Sequence, residues 1–394
     1  MHYAKSSFIY ARSARLLVAF MLVLAAAAPA TSFAASGLTA TVPAPSINAK
    51  SYILVDFRTG AVLAEKNADE RVEPASLTKI MTVYAASHAL KEGLVHLEDQ
   101  VTISKKAWQM EGSRMFLEVG KMVSLDMLFN GIVIQSGNDA SVALAEHVSG
   151  SEEVFVGLMN KYARDLGMTN TSFSDATGLP DPNNYTTARD MATLSAALIR
   201  EFPEEYRRSA VREFTFNGIR QHNRNRMLNR DESVDGIKTG HTESAGYCLI
   251  SSSLRDGMRV ISAVMGTASD DARTEASYAL LNYGYRFFET KQLYAAKQAV
   301  AEPQVWGGAA ETVALGSIEP VWATLPRGRF KDVKAVAKLD EPIMAPLKAG
   351  QVLGKMVLKL DDHEITELPL AALTEVAEGS LFSRLYDDVR LMLQ

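Results

Sequence analysis

Ser76 and Lys79 lie three residues apart in the stretch Glu73-Pro74-Ala75-Ser76-Leu77-Thr78-Lys79. Residues i and i+3 share a helix face, so this hydroxyl and this amine can meet. A serine hydroxyl is a weak nucleophile until a base takes its proton, and a neutral lysine is such a base. Two further patterns carry related chemistry. Ser136-Gly137-Asn138 supplies a second hydroxyl and a carboxamide; Lys238-Thr239-Gly240 supplies a cation and a hydroxyl. Each is weak alone. Another Ser-x-Asn occurs at Ser46-Ile47-Asn48, and a helix cap beside a solvated lysine is the ordinary reading of Ser76 and Lys79. Their weight depends on the elements that carry them.

Pro74 suits a first helical turn, where its missing N–H costs little. From about Ser76 to Lys91 the segment is apolar on most sides (Ile80, Val83, Tyr84, Ala86, Ala89, Leu90), which marks a buried helix with Ser76 and Lys79 on the floor of a cleft. Most of Leu125 to Leu144 reads as helix, with Ser136-Gly137-Asn138 as a turn pointing polar groups inward. β-branched residues before Lys238 and the glycine after it suggest a strand running into a turn. Ser51 to Phe57 and Ala61 to Ala64 form a hairpin about Thr59-Gly60. Gly246 to Ser252 and Met258 to Met265 are two more strands, and Thr274 to Thr290 is a last amphipathic helix. Residues 166–190 read as loop, followed by a helix from Asp190 to Ile199. Two early strands completing three late ones predict an α+β sandwich: an antiparallel five-stranded sheet between helices. Three walls, one per pattern, could then converge on one cleft.

The chain ends add context. Lys5, Arg12 and Arg15 precede the apolar run Leu16 to Leu24, and Ser32 and Ala34 have the spacing of a cleavage site. This reads as a secretory signal over residues 1–34 of an exported protein, against the alternative of a retained anchor. The single cysteine, Cys248, excludes an intramolecular disulfide and reads as a packed core thiol. With 394 residues, 47% of them hydrophobic, the chain has material for more than one domain. A net charge of −5 gives no footprint for nucleic acid. No internal apolar run reaches the length of a membrane span.

After a catalytic domain over 35–290, helical periodicity gives way to short alternating runs, such as Val333 to Ala337 and Val352 to Leu360. Residues 291–377 therefore read as a small all-β domain without a metal-binding cluster, acting as a spacer or interaction module. The tail, 378–394, is an amphipathic helix. Leu381, Phe382, Leu385, Val389, Met392 and Leu393 fall on one face and Ser383, Asp387 and Arg390 on the other. It can lie in a membrane interface or dock on its own domain. Its cancelling charges weaken electrostatic attraction to lipid.

The ordered set Ser76-x-x-Lys79, Ser136-Gly137-Asn138 and Lys238-Thr239-Gly240 resembles the serine acyl-transfer enzymes that include penicillin-binding proteins and class A β-lactamases. The surrounding residues, with Gly178-Leu179, Asn223-Arg224-Asn225 and Ala245-Gly246-Tyr247, are similar to the exported D-alanyl-D-alanine carboxypeptidases. The resemblance runs from about residue 40 to the C-terminus, by layout rather than motif in the β-domain and tail. It implies a β-lactamase/transpeptidase-like fold and removal of the terminal D-alanine from peptidoglycan pentapeptides, without cofactor or metal. It also implies β-lactams as covalent inhibitors and a place at the periplasmic face of the inner membrane.

In that scheme Ser76 is the nucleophile, Lys79 the base, and Ser136 a proton relay. Asn138 orients Lys79 and the substrate carbonyl. Lys238, Thr239, Gly240 and Thr242 receive the substrate carboxylate, with Lys238 also helping to keep Lys79 neutral. The backbone N–H groups of Ser76 and His241 form the oxyanion hole, the His241 side chain being a possible spectator. Arg273 is the bidentate carboxylate partner a carboxypeptidase requires, against the alternative of a solvated helix-start arginine. The deacylating glutamate of class A β-lactamases has no counterpart between Gly167 and Tyr185. Glu213 to Asn217 is a chance Glu-x-x-x-Asn beyond that loop, so an acyl group from a β-lactam should leave slowly.

Overall fold

The computed structural model describes residues 43–393; the expected signal segment lies outside the described residues. The chain enters through a hairpin, β1 (Ser51–Asp56) and β2 (Val62–Lys66), then reaches helix α1 (Thr78–Lys91) through a tight 3-10 turn over Ala75–Leu77. Ser76 thus sits in the turn that leads into the helix, two residues before its start. Next come α2 (Leu125–Asn130), a wide π-type turn at Gly131–Gln135, α3 (Asn138–Ser149), α4 (Glu152–Asp165) and α5 (Ala188–Glu201). A small hairpin, β3 (Glu213–Phe216) and β4 (Ile219–His222), precedes strands β5 (Val234–Thr242), β6 (Gly246–Arg255) and β7 (Met258–Thr267). Helix α6 (Asp270–Phe287) follows.

The sheet order is β2-β1-β7-β6-β5 with antiparallel neighbours throughout, the expected five-stranded arrangement. Its strands are apolar on both faces because both are covered. In β1, Ile53 and Val55 join the core shared with helices α1 to α5, while Tyr52 and Leu54 join the core under α6. Each such fully buried side chain contributes about 1.5–3 kcal/mol. Between them the two layers immobilise the sheet edge and the start of α1.

Some boundaries differ from the sequence reading. Helix α6 begins at Asp270 rather than Thr274, because Ser269 caps it by accepting the Ala272 N–H. It stops at Phe287, where the chain turns at once into β8 (Phe288–Tyr294). Helix α4 and the β3–β4 hairpin went unread. Glu213, the chance match, starts that hairpin and pairs with Arg220.

Between β8 and the tail the regular structure is mostly strand. β8 pairs with β9 (Val321–Pro326), and β10 (Val333–Leu339), β11 (Val352–Leu360) and β12 (His363–Ala372) form an antiparallel sheet completed by Leu315–Gly316. In that edge pairing Leu315 lies opposite Ala372 and Gly316 opposite Ala371. The junction with the first sheet is polar and partly buried: the Asp56 carboxylate accepts from Thr59 and Thr290, and the Thr59 and Thr324 hydroxyls meet at 2.6 Å.

The tail forms helix α7 (Leu381–Met392). Its polar face rests on the β-domain: Asp387 accepts the Gly307 N–H at 2.9 Å, and Arg390 lies over Trp306. Its apolar face points outward, with Phe382 88% and Met392 86% exposed. Among the described residues no helix is long and apolar enough to cross a membrane.

Candidate active site

The 3-10 turn, the turn before α3 and strand β5 bring the three patterns together, as three walls. Two of the reactive positions involve rare backbone. Ala75, just before the serine, has φ +48°, and Ser136 itself has φ +65°. Non-glycine residues in this region each cost about 1–3 kcal/mol and persist where the surroundings over-determine them. Gly178 backs the first turn: with φ +85°, it lies so close that a Cβ there would meet the Ala75 carbonyl oxygen at 1.7 Å.

Lys79 is buried, 1% exposed, and its amine has three neighbours: Ser76 Oγ at 3.1 Å, Asn138 Oδ1 at 2.7 Å and the Thr177 carbonyl at 2.6 Å. The last two can only accept. The carboxamide of Asn138 cannot be reversed, because its Nδ2 donates to the Glu111 carbonyl at 2.6 Å. A neutral amine satisfies this set by donating to both oxygens and directing its lone pair at the Ser76 hydroxyl. Burial lowers the Lys79 pKa to about 7; Asp175 opposes this and Arg224 reinforces it. The reinforcing cation is therefore Arg224. Lys238, to which the sequence reading gave this part, is itself pushed well down by burial and then by Lys79.

Ser136 receives its hydrogen bond from Lys238 Nζ at 2.9 Å, and Lys238 also donates to the Thr239 carbonyl. The site thus holds two serine–lysine pairs, Ser76 with Lys79 and Ser136 with Lys238. A relay through Ser136 has Lys238 as its immediate partner. Thr239 is buried in β5. Gly240 packs where a Cβ would come within 3.1 Å of the Pro74 carbonyl oxygen, so its lack of a side chain lets β5 approach the nucleophile turn. Thr242 caps the end of the strand by accepting the Ala245 N–H. The His241 ring is exposed and leans on Tyr247, with centroids 3.9 Å apart. β5 is the edge strand, so its outer row of backbone groups faces the cleft.

Arg273 is neither solvated nor a free fork. Its Nε and one terminal nitrogen engage Asp270, and the other donates to the Gly240 and Cys248 carbonyls. This follows from the earlier start of α6, which tucks Arg273 under β5. Arg224 lines the same cleft, and among the described residues it makes no ion pair.

The sequence reading also passed over Asp139, Thr177 and Asp175. The buried Asp139 carboxylate accepts the Met115, Leu117 and Ala140 N–H groups and so ties the 111–117 loop to the turn of Asn138. Asp175 Oδ1 accepts from the Thr177 N–H and hydroxyl and from the Gly178 N–H, shaping the loop whose carbonyl meets Lys79. No spacing in the sequence marks these. Cys248 is fully buried and its thiol is pushed up to about 11, as befits a core residue.

A helix–sheet–helix sandwich with a serine–lysine pair at the sheet edge defines the serine-type, penicillin-binding class of peptidase. The chain belongs to the D-alanyl-D-alanine carboxypeptidase family, which residues 38–269 match, and residues 288–378 match the penicillin-binding protein 5 C-terminal domain. It is 47% identical to the D-alanyl-D-alanine carboxypeptidase DacC of Escherichia coli K12 over 369 residues, 92% of each chain. Its fold is similar to penicillin binding protein 5 from Haemophilus influenzae, with TM-score 0.82, 44% identity, and 86% of this chain and 100% of that one covered. It is also similar to penicillin-binding protein D2 from Listeria monocytogenes in an ampicillin-bound form, with TM-score 0.57, 27% identity, and 62% and 100% covered.

Proposed function

We propose that the chain removes the terminal D-alanine of peptidoglycan pentapeptides through an acyl-enzyme on Ser76. The observation that carries this is the donor-acceptor count at Lys79, whose two obligate acceptors leave its lone pair for the Ser76 hydroxyl. Lys79 takes the proton as Ser76 Oγ attacks the penultimate D-alanyl carbonyl. The N–H groups of Ser76 and His241 receive the oxyanion. The leaving nitrogen takes a proton through Ser136, supplied by Lys238. Lys238, Thr239 and Thr242 draw in the terminal carboxylate, and Arg224 is its free guanidinium partner. Arg273 contributes positive charge and holds the Gly240 carbonyl, and with it the position of β5. Asn138 fixes Lys79. The proton held on Lys79 passes by way of Ser136 to restore Lys238, so Lys79 is neutral again and serves as base when water attacks the ester.

A β-lactam enters the same steps, but its ring nitrogen stays tethered, and the loop from Gly167 to Tyr185 carries no glutamate to drive deacylation. Asp175, the acid in the 167–185 loop nearest the lysine, spends one oxygen on three donors. Exposure to labelled penicillin is therefore expected to give an adduct that persists on intact protein; rapid turnover without adduct would count against this.

The same reading places the enzyme at the periplasmic side of the inner membrane, attached through α7. The outward apolar face and the inward polar contacts of that helix support it. Removing residues 379–394 should shift the protein from the membrane to the soluble fraction, while unchanged partitioning would return α7 to a structural part of the β-domain.

A further inference from the structure

The segment that carries the nucleophile also carries a carboxylate. Glu73 precedes Ser76 by three residues. The chain between them is fixed at both ends: Val72 exchanges backbone hydrogen bonds with Thr186, and the Leu77 N–H donates to the Pro74 carbonyl. Glu73 Oε2 accepts from the Ser244 hydroxyl at 2.6 Å and from the Thr242 hydroxyl at 3.4 Å. The acid is therefore held, half-buried, against the turn that joins β5 to β6. Both contacts fall on one oxygen, which leaves Oε1 without a protein donor. Among the described residues neither Glu73 nor Glu243, exposed in the same turn, makes an ion pair. A brace between two turns needs no charge. A carboxylate held by hydroxyls alone keeps its charge, and with Glu243 it makes this end of the site negative, opposite the arginines Arg224 and Arg273.

The catalytic geometry says which part of a substrate passes Glu73. With the leaving carboxylate at Lys238 and Thr239 and the scissile carbonyl at the His241 N–H, the substrate runs antiparallel to β5 along its open edge. Each residue toward the substrate's N-terminus then advances about 3.3 Å in the direction of Ser244. The residue just before the acylating D-alanyl unit is level with the β5–β6 turn, beside Glu73. The charge that complements the open Oε1 is a cation on that residue's side chain.

We propose that Glu73 is a specificity-determining residue, whose carboxylate receives a free side-chain amine on the residue that precedes the D-alanyl unit. The inference rests on the carboxypeptidase reading given above and names the stem peptides that reading favours: those whose residue at this place ends in an unmodified amine. Capping the amine removes its charge and leaves Glu73 without a partner. The pair lies away from the reacting atoms and forms in the ground state and the transition state alike, so it acts on KM and leaves kcat unchanged.

The test uses the full chain and two synthetic pentapeptides ending in D-Ala-D-Ala. They differ only in the residue before the D-alanyl unit, which carries a free side-chain amine in one and the acetylated amine in the other. The parent should favour the free amine in kcat/KM by about three- to fivefold, the scale of a solvent-accessible ion pair, with the difference in KM. High salt should shrink that preference. Glu73→Gln keeps an oxygen for the Ser244 hydroxyl but loses the charge, and should bring the ratio of the two substrates close to one. Equal turnover of both peptides by the parent overturns the proposal. So does a Glu73→Gln variant that slows both peptides alike and keeps their ratio, which is the signature of a brace. A parent that releases D-alanine from neither peptide would instead strike the carboxypeptidase reading itself.

Discussion

Ser76→Ala is expected to lower D-alanine release by about 10⁴–10⁶-fold, the scale seen when a nucleophile that acts with its base is removed. Penicillin labelling should vanish with it. The fold should survive, because the Ser76 hydroxyl makes one contact, to Lys79, and packs against no core. Its turn is held by other groups: the Leu77 N–H on the Pro74 carbonyl, and Gly178 and Gly240 close beneath. Thermal unfolding should therefore stay within about 0.5 kcal/mol of the parent, the range of substitutions that remove no core packing. Circular dichroism and an intact-mass assay with penicillin read both halves of this result. Residual release near the parent rate would move the nucleophile elsewhere.

The second large effect concerns Lys79. Its amine must be neutral to take the serine proton, and its pKa is lowered to about 7. Acylation by penicillin, followed from pH 5 to 9, should rise through an acid limb centred near 7 and then level. Lys79→Met should lower the acylation rate about 10²–10⁴-fold, the usual worth of a positioned base, and the remaining rate should lack that limb. An acid limb that survives in the variant would assign the titration to another group. The same depression has a stability consequence of fixed sign. Between about 7 and the ordinary 10.5 the unfolded lysine holds a proton that the folded one lacks, so stability rises with pH across that window. Below it the cost of burying the amine is at its full value. The molecule gives up stability at neutral pH to keep a base ready.

Much of this was legible from residue order. A segment apolar on most sides had to be the central helix, and α1 is buried along nearly its whole length. Strands with both faces apolar had to be a covered sheet. Three short polar patterns, each interrupting such an element, had to share a cleft. What escaped was set by contacts distant in sequence. The acceptor that completes Lys79 is a backbone carbonyl at Thr177, 98 residues away, and carbonyls carry no sequence signature. Arg273 was named a carboxylate partner by resemblance alone, with a helix-start position that says nothing of its side chain's partners. The Ser269 cap moves that start and commits its nitrogens to Asp270 and to carbonyls of β5 and β6. Arg224 was quoted only as part of a segment, and its importance comes from being near both lysines without a carboxylate of its own. The tail could not be decided from its pattern, since docked and interfacial helices share it. In the fold its polar face meets Gly307 and Trp306 while Phe382 and Met392 stay exposed.

The central claim is that the neutral Lys79 delivers Ser76 to an acyl group. The most direct measurement is peptide mapping by mass spectrometry of protein quenched during exposure to penicillin, run beside Ser76→Ala. The added mass should fall on Ser76 alone and be absent from the variant. A label on any other residue, or an equal label on the variant, would contradict the account.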